Sequence, residues 1–220
     1  MAVSRFDAIT MSGCALVFLS AVVVIIAFAT PYWLVSDGQL PVEHFEKLGL
    51  WEACFKSFSD PNFRFDKEYR GCMWILDEDY TVIYDILEKP FFIAVQVLYT
   101  LGFIAVLGEC LGFLGYIFCV PSKKAVTALV LLSVLAFSAG ILHTIAVIVF
   151  GALGDGRDWM PDPDNNYLSW SFGLAAIGAI LQLIAGVLFL LESIITRRRL
   201  AKEQQQLYAM GQMPSKTNHQ

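Results

Sequence analysis

Cys54 and Cys72 stand 18 positions apart in a polar stretch that separates two long apolar runs. Neither has a histidine beside it, and no short C-x2-C or C-x2-H pair occurs, so the two suit a disulfide better than a metal site. Such a bridge would contribute about 3 kcal/mol by the chain-entropy model, which matters for a segment with little core of its own. Around the pair lie the carboxylates Glu52, Asp60, Asp66 and Glu68, whose ordinary role on an outer loop is solvation. The chain shows no nucleophile–base arrangement, phosphate-cradling loop or metal cluster, so neither catalysis nor a cofactor or metal is expected.

The elements that must position these residues are membrane spans. Of 220 residues 57% are apolar, too many for an ordinary soluble core of this length. Charge is withheld from four intervals, each long enough to cross a hydrocarbon core of about 30 Å at 1.5 Å per residue. None alternates polar and apolar residues as a barrel strand would. The chain therefore divides into an N-terminus (1–8), a first span (9–31), a first loop (32–90), a second span (91–119), a short loop (120–125), a third span (126–150), a second loop (151–168), a fourth span (169–195) and a tail (196–220). A cleaved signal peptide ending near Ala27-Phe28-Ala29 is the alternative for the first run; its apolar stretch is too long and its basic region, Arg5 alone, too weak.

Arg5, the Lys123-Lys124 pair and the Arg197-Arg198-Arg199 and Lys202 cluster place both termini and the short loop in the cytoplasm by the positive-inside rule. The two other loops then face outward. Both are acidic, and the net charge of −5 argues against nucleic-acid binding. Numerous aromatics in the first loop, and the short alternating pieces Cys72–Leu76 and Tyr80–Tyr84, predict a folded ectodomain with strands, with a turn over Ser59–Asn62. No N-glycosylation sequon occurs.

Within the spans a few residues stand out. Glu109, about 27 Å along a helix beginning at Phe91, falls near the inner interface, and packing is preferred to a role in an ion pathway. His143 is expected to be a packed hydrogen-bonding group without a role in transport. Gly108-x-x-x-Gly112, and Gly178 and Gly186 about Gln182, mark helix seams. Cys119, beside the basic turn, is a candidate for palmitoylation. Trp33, just past Pro31, sits where an interfacial aromatic anchor belongs, and the Gln-rich tail is expected to be disordered.

The order Trp33, Gly49-Leu50-Trp51, Cys54, Cys72, on a four-span plan with a longer first and shorter second outer loop, resembles the claudin superfamily, which includes the peripheral myelin and lens membrane proteins. The resemblance implies a left-handed four-helix transmembrane bundle carrying a small extracellular antiparallel β-sheet, built mostly from the first loop and completed by the second. It implies that Leu50 and Trp51 anchor the sheet at the bilayer surface, that Cys54–Cys72 joins two of its strands, and that Glu52, Asp60, Asp66 and Glu68 are candidates for lining a paracellular route.

The function it implies is adhesion and barrier formation at lateral cell–cell junctions of the plasma membrane. The protein would associate with copies or relatives in cis and in trans, and with other junction membrane proteins. A regulatory subunit of a channel or receptor is the alternative, since calcium-channel gamma-type subunits share the motif. The Cys spacing is wider than is usual in vertebrate claudins and looks more like the claudin-like proteins of invertebrate septate junctions. The chain ends in Asn218-His219-Gln220 rather than an apolar residue, so binding of PDZ scaffolds is doubtful.

Overall fold

In a computed structural model, which describes residues 8–39, 45–59, 68–77, 89–154, 156, 159 and 163–211, four long helices form a bundle capped at one end by a five-stranded sheet. The helices are α1 (Ala8–Ala29), α2 (Pro90–Phe118), α3 (Ala125–Leu153) and α4 (Trp170–Gly211). All four are long and apolar enough to cross a membrane. Only a third to two-fifths of each apolar window is buried inside the bundle, 33% to 39%. The remaining apolar side chains, among them Phe18, Ile104, Leu131, Ile148 and Ile180, point outward. In water such a belt would be an aggregation surface; in lipid it is the solvent-facing side.

Helix ends follow local chemistry. Thr30 closes α1 through Oγ1 to the Ile26 carbonyl at 2.7 Å, and Pro31 cannot extend it. Pro90 opens α2 at its first position, where a missing N–H costs nothing. A single 3-10 turn, Ser122–Lys124, reverses the chain between α2 and α3. Around the bundle α2 packs on α3, α3 on α4 and α4 on α1, while α1 and α2 touch more sparsely.

One helix departs from expectation. The tail after Thr196 is not disordered at its start: α4 continues to Gly211, 42 residues in all. At 1.5 Å per residue that is roughly 63 Å, about twice the hydrocarbon thickness, so its last turns extend past the bilayer. Arg, Lys, Leu, Glu and Gln are good helix formers, and a helix already nucleated in the bundle propagates through them.

The sheet comprises β1 (Leu34–Ser36), β2 (Phe45–Leu48), β3 (Glu52–Ser59), β4 (Glu68–Trp74) and β5 (Asn166–Leu168), in the order β4-β3-β2-β1-β5, all antiparallel. Strand β5 comes from the second loop and completes the edge. The strand anticipated at Cys72–Leu76 begins earlier and ends at Trp74; the piece Tyr80–Tyr84 and the turn at Asp60–Asn62 lie outside the described residues.

The pairing of β3 with β4 shifts between Phe55 and Phe58. Strict alternation would send those two rings to opposite faces; the irregularity turns both inward, with centroids 5.2 Å apart. One core then runs unbroken from sheet to bundle, joining Phe45, Leu48, Leu50 and Phe55 to Trp33, Phe92, Tyr99 and Phe150.

Candidate functional site

The junction between sheet and bundle is built from Trp33 and the Gly49–Trp51 turn. Pro31 redirects the chain at the end of α1, and two residues later the Trp33 indole folds back so that Nε1 donates to the Ala27 carbonyl at 2.7 Å. The ring is fully buried, edge-on to Tyr99, Phe150 and Phe172 at 5.2, 5.0 and 5.8 Å. Trp33 is therefore a core hub rather than the interfacial anchor its place after Pro31 suggested. Its main chain ties both loops together, the amide donating to Leu48 O and the carbonyl accepting from Ser169 N.

Gly49 starts a tight turn in which its N–H donates to Glu52 O at 2.8 Å. A β-carbon at position 49 would stand 2.7 Å from Thr30 O, so only glycine lets the turn meet the end of α1. Leu50 is completely buried, within the shared core instead of on the bilayer surface. Its carbonyl accepts from Gln96 Nε2 of α2 at 2.7 Å, which pulls the turn under the sheet. Trp51 is half-buried against Phe28 and lines a shallow surface depression with Val97, Thr100 and Leu101. Its carbonyl accepts from Ile75 N, binding the end of β4 to the same turn.

Cys54 and Cys72 face each other across β3 and β4 and are joined by a disulfide. Glu52 lies within reach of both sulfurs, but sulfurs spent in a disulfide are not thiolate ligands, and the trio is not a metal site.

Of the candidate carboxylates, the two among the described residues, Glu52 and Glu68, are not brought together. Glu52, half-buried, is opposite Trp74 at one end of the β3–β4 hairpin, and Glu68 is opposite Ser59 at the other. Asp60 and Asp66 lie outside the described residues. Glu68 accepts from Ser57 Oγ and from Arg70 Nη2, the latter at 2.9 Å. These bonds, Ser57 first, hold its carboxyl below the usual carboxylate range, and Arg70 offsets its charge locally. On the central strand β2, Lys47 donates to the Tyr32 hydroxyl at 3.2 Å and lies over the ring; that hydrogen bond raises its pKa.

Several positioning groups were not legible as such. Gln96 is one. Another is Gly102, where a β-carbon would come within 2.5 Å of the His143 ring. His143 is fully buried, stacked at 4.3 Å on Tyr99 and sharing a 3.2 Å hydrogen bond with that residue's carbonyl, the packed group expected from sequence. Of the anticipated seams, Gly112 meets Leu132, Gly178 meets Val24 and Gly186 meets Phe137, while Gly108 abuts nothing. Cys119 is exposed at the end of α2.

Glu109 is not near an interface. Phe103 of α2 stacks on Phe28 near the sheet end of α1 at 4.7 Å, and Glu109 lies about 9 Å further along. Val106 shares a cluster with Ala21, placing Glu109 opposite the middle of α1. The count from Phe91 overshot because the first turns of α2 stand against the sheet and second loop, through Gln96 on Leu50 and Phe92 on Trp159.

Residues 18–191 match the family model described as PMP-22/EMP/MP20/Claudin tight junction. No curated protein matches the chain.

Proposed function

This chain belongs to the PMP-22/EMP/MP20/claudin superfamily, and from that premise we propose that it is a cell–cell junction protein that assembles in cis and in trans to form or organise a paracellular barrier. The observation that carries the reading is the fusion of sheet to bundle through one core, with Trp33 and Gly49–Trp51 at the joint. A sheet held this way is a rigid platform whose position relative to the bilayer is set by the helices, as docking against another membrane requires. Lys123, Lys124 and the Arg197–Lys202 cluster lie on segments leaving the end of the bundle remote from the sheet, which supports an outward sheet and cytoplasmic termini.

Within this reading the disulfide keeps the β3–β4 hairpin in shape for contact. Glu68, paired to Arg70, contributes less field to a passing ion than an unpaired carboxylate, and Glu52 is at the bundle end of its strand. Asp60 and Asp66, between β3 and β4, are the better candidates for favouring cations along the route. The wide Cys spacing supports a septate-junction type of assembly. Acylation of Cys119 would add a lipid contact at the cytoplasmic face.

The test is expression of a fluorescently tagged form in cells that lack such junctions, mixed with untransfected cells. Enrichment where two expressing cells meet, and not where an expressing cell meets a bare one, is the expected result. Uniform distribution at every boundary would contradict assembly in trans and move the reading to a regulatory four-span subunit of a channel or receptor.

A further inference from the structure

The strand registers align Met73, Ala53, Leu48, Leu34 and Leu168 in one row across the sheet. Past that row both edge strands run toward the bundle. On one edge β5 passes through Ser169 into Trp170, the first residue of α4, which is half exposed beside Tyr32 with ring centroids 5.1 Å apart. On the other edge β4 ends at Trp74 and enters a turn closed by Asp77 N donating to Trp74 O at 3.0 Å. Ile75 points into the shared core, and Trp74 and Leu76 on either side of it point out, 65% and 59% exposed.

The length of α4 sets the depth of these residues. Between Trp170 and Arg197 it rises about 40 Å at 1.5 Å per residue, and a bilayer with its polar headgroups is about 40–45 Å thick. With the exposed Arg197, Arg198 and Arg199 at one headgroup layer, Trp170 falls at the other, on the sheet side. Trp74 is tied to the same end of the bundle through Trp51. It pairs with Glu52, the residue after Trp51, and Ile75 N donates to Trp51 O at 2.9 Å. Trp51 in turn lines the depression on α2 with Val97 and Leu101, both exposed members of the belt that faces lipid. Trp51 therefore stands between the exposed turn and that belt. An indole, apolar over its ring and polar at its N–H, suits the boundary between acyl chains and headgroups.

We propose that Trp74 and Leu76 dip into the leaflet on the sheet side of the bilayer and anchor edge strand β4 there, as Trp170 anchors the opposite edge. The sheet is then held at both edges as well as at the Gly49–Trp51 joint, and its tilt against the membrane is fixed. Leu50, to which the family resemblance gave the anchoring role, is buried in the core and cannot fill it. Lipid is favoured over a second copy of the chain as the occupant because the pair lies at the bundle end of the sheet, next to the lipid-facing belt. The inference rests on the four helices spanning a bilayer and not on the sealing of a junction, so the two readings fail separately.

Fluorine NMR of the full chain in lipid nanodiscs, with its five tryptophans replaced biosynthetically by fluorotryptophan, tests this. Trp74→Phe identifies the Trp74 resonance by its loss, and Trp74→Tyr serves the same assignment if the first variant does not fold. A phospholipid carrying a nitroxide beside its headgroup should broaden that resonance more than a water-soluble gadolinium chelate does, and ascorbate, which reduces the nitroxide, should restore it. An equal or greater response to the chelate would place the turn in water and overturn the proposal. A resonance reached by neither agent would place the turn against a second copy of the chain and overturn it too.

Discussion

A β-carbon on Gly49 would stand 2.6 Å from the Cα of Pro31. The first residue of the turn between β2 and β3 thus lies directly on the proline that follows α1, and neither backbone can yield without separating sheet from bundle.

Gly49→Ala should lower stability by about 1–3 kcal/mol, the range for forcing extra volume into a packed site. Thermal unfolding of the purified protein in detergent measures it, with Gly173→Ala as the control, since a β-carbon there meets nothing within 4 Å. Equal midpoints for the two variants would mean that the joint is more compliant than its geometry indicates.

Gly102 and His143 form a second such pair, inside the membrane. Gly102→Ala drives a methyl into the imidazole and should destabilise the bundle, whereas in the His143→Ala background the same methyl enters space the ring has left. The two substitutions should therefore be non-additive, with a coupling of about 0.5–3 kcal/mol, the double variant being less damaged than the sum of the singles. Strict additivity would show that the contact carries no energy.

Cys54→Ser should cost about 3 kcal/mol by the loop-closure model for a bridge with a sequence separation of 18. The wild-type chain should run faster on a non-reducing gel than on a reducing one, and the variant should not. Reductant should lower the wild-type melting midpoint toward that of the variant.

Glu68 gives a pH dependence with a definite sign. Its pKa is lowered in the folded protein by Ser57 and Arg70, so its contribution is complete above the unfolded-state value of about 4.3 and is lost as pH falls through the lower folded value. The stability difference between wild type and Glu68→Gln should be constant from neutral pH down to mild acid and vanish in strong acid. A difference that grows as pH falls would contradict the assignment. The pair is exposed, so the difference should be small.

Much of this architecture is written in the chain in plain form. Spans are legible because charge is withheld from them, and the Trp33, Gly49–Trp51 and Cys54–Cys72 pattern stands out because tryptophan, glycine and cysteine are costly to place by accident. Depth is where one-dimensional counting fails. Glu109 was counted from Phe91 as though α2 began at the bilayer surface, but its early turns are spent against the sheet through Gln96 and Phe92. Trp33 looked like an interfacial anchor because sequence shows that it follows Pro31 but not that its ring folds back onto Ala27. Gln96 and Gly102 carry no local signal, their importance lying in partners 46 and 41 residues away.

Junctional barrier formation is tested most directly by the passage of a small inert tracer across an epithelium that normally makes this protein, with and without it, while its position in the membrane is imaged. The account predicts that the protein lies at lateral contacts, that its removal opens the tracer path, and that Gly49→Ala or Cys54→Ser restores the seal less well than the wild-type chain. An intact seal after its removal, with the protein distributed away from cell contacts, would contradict it.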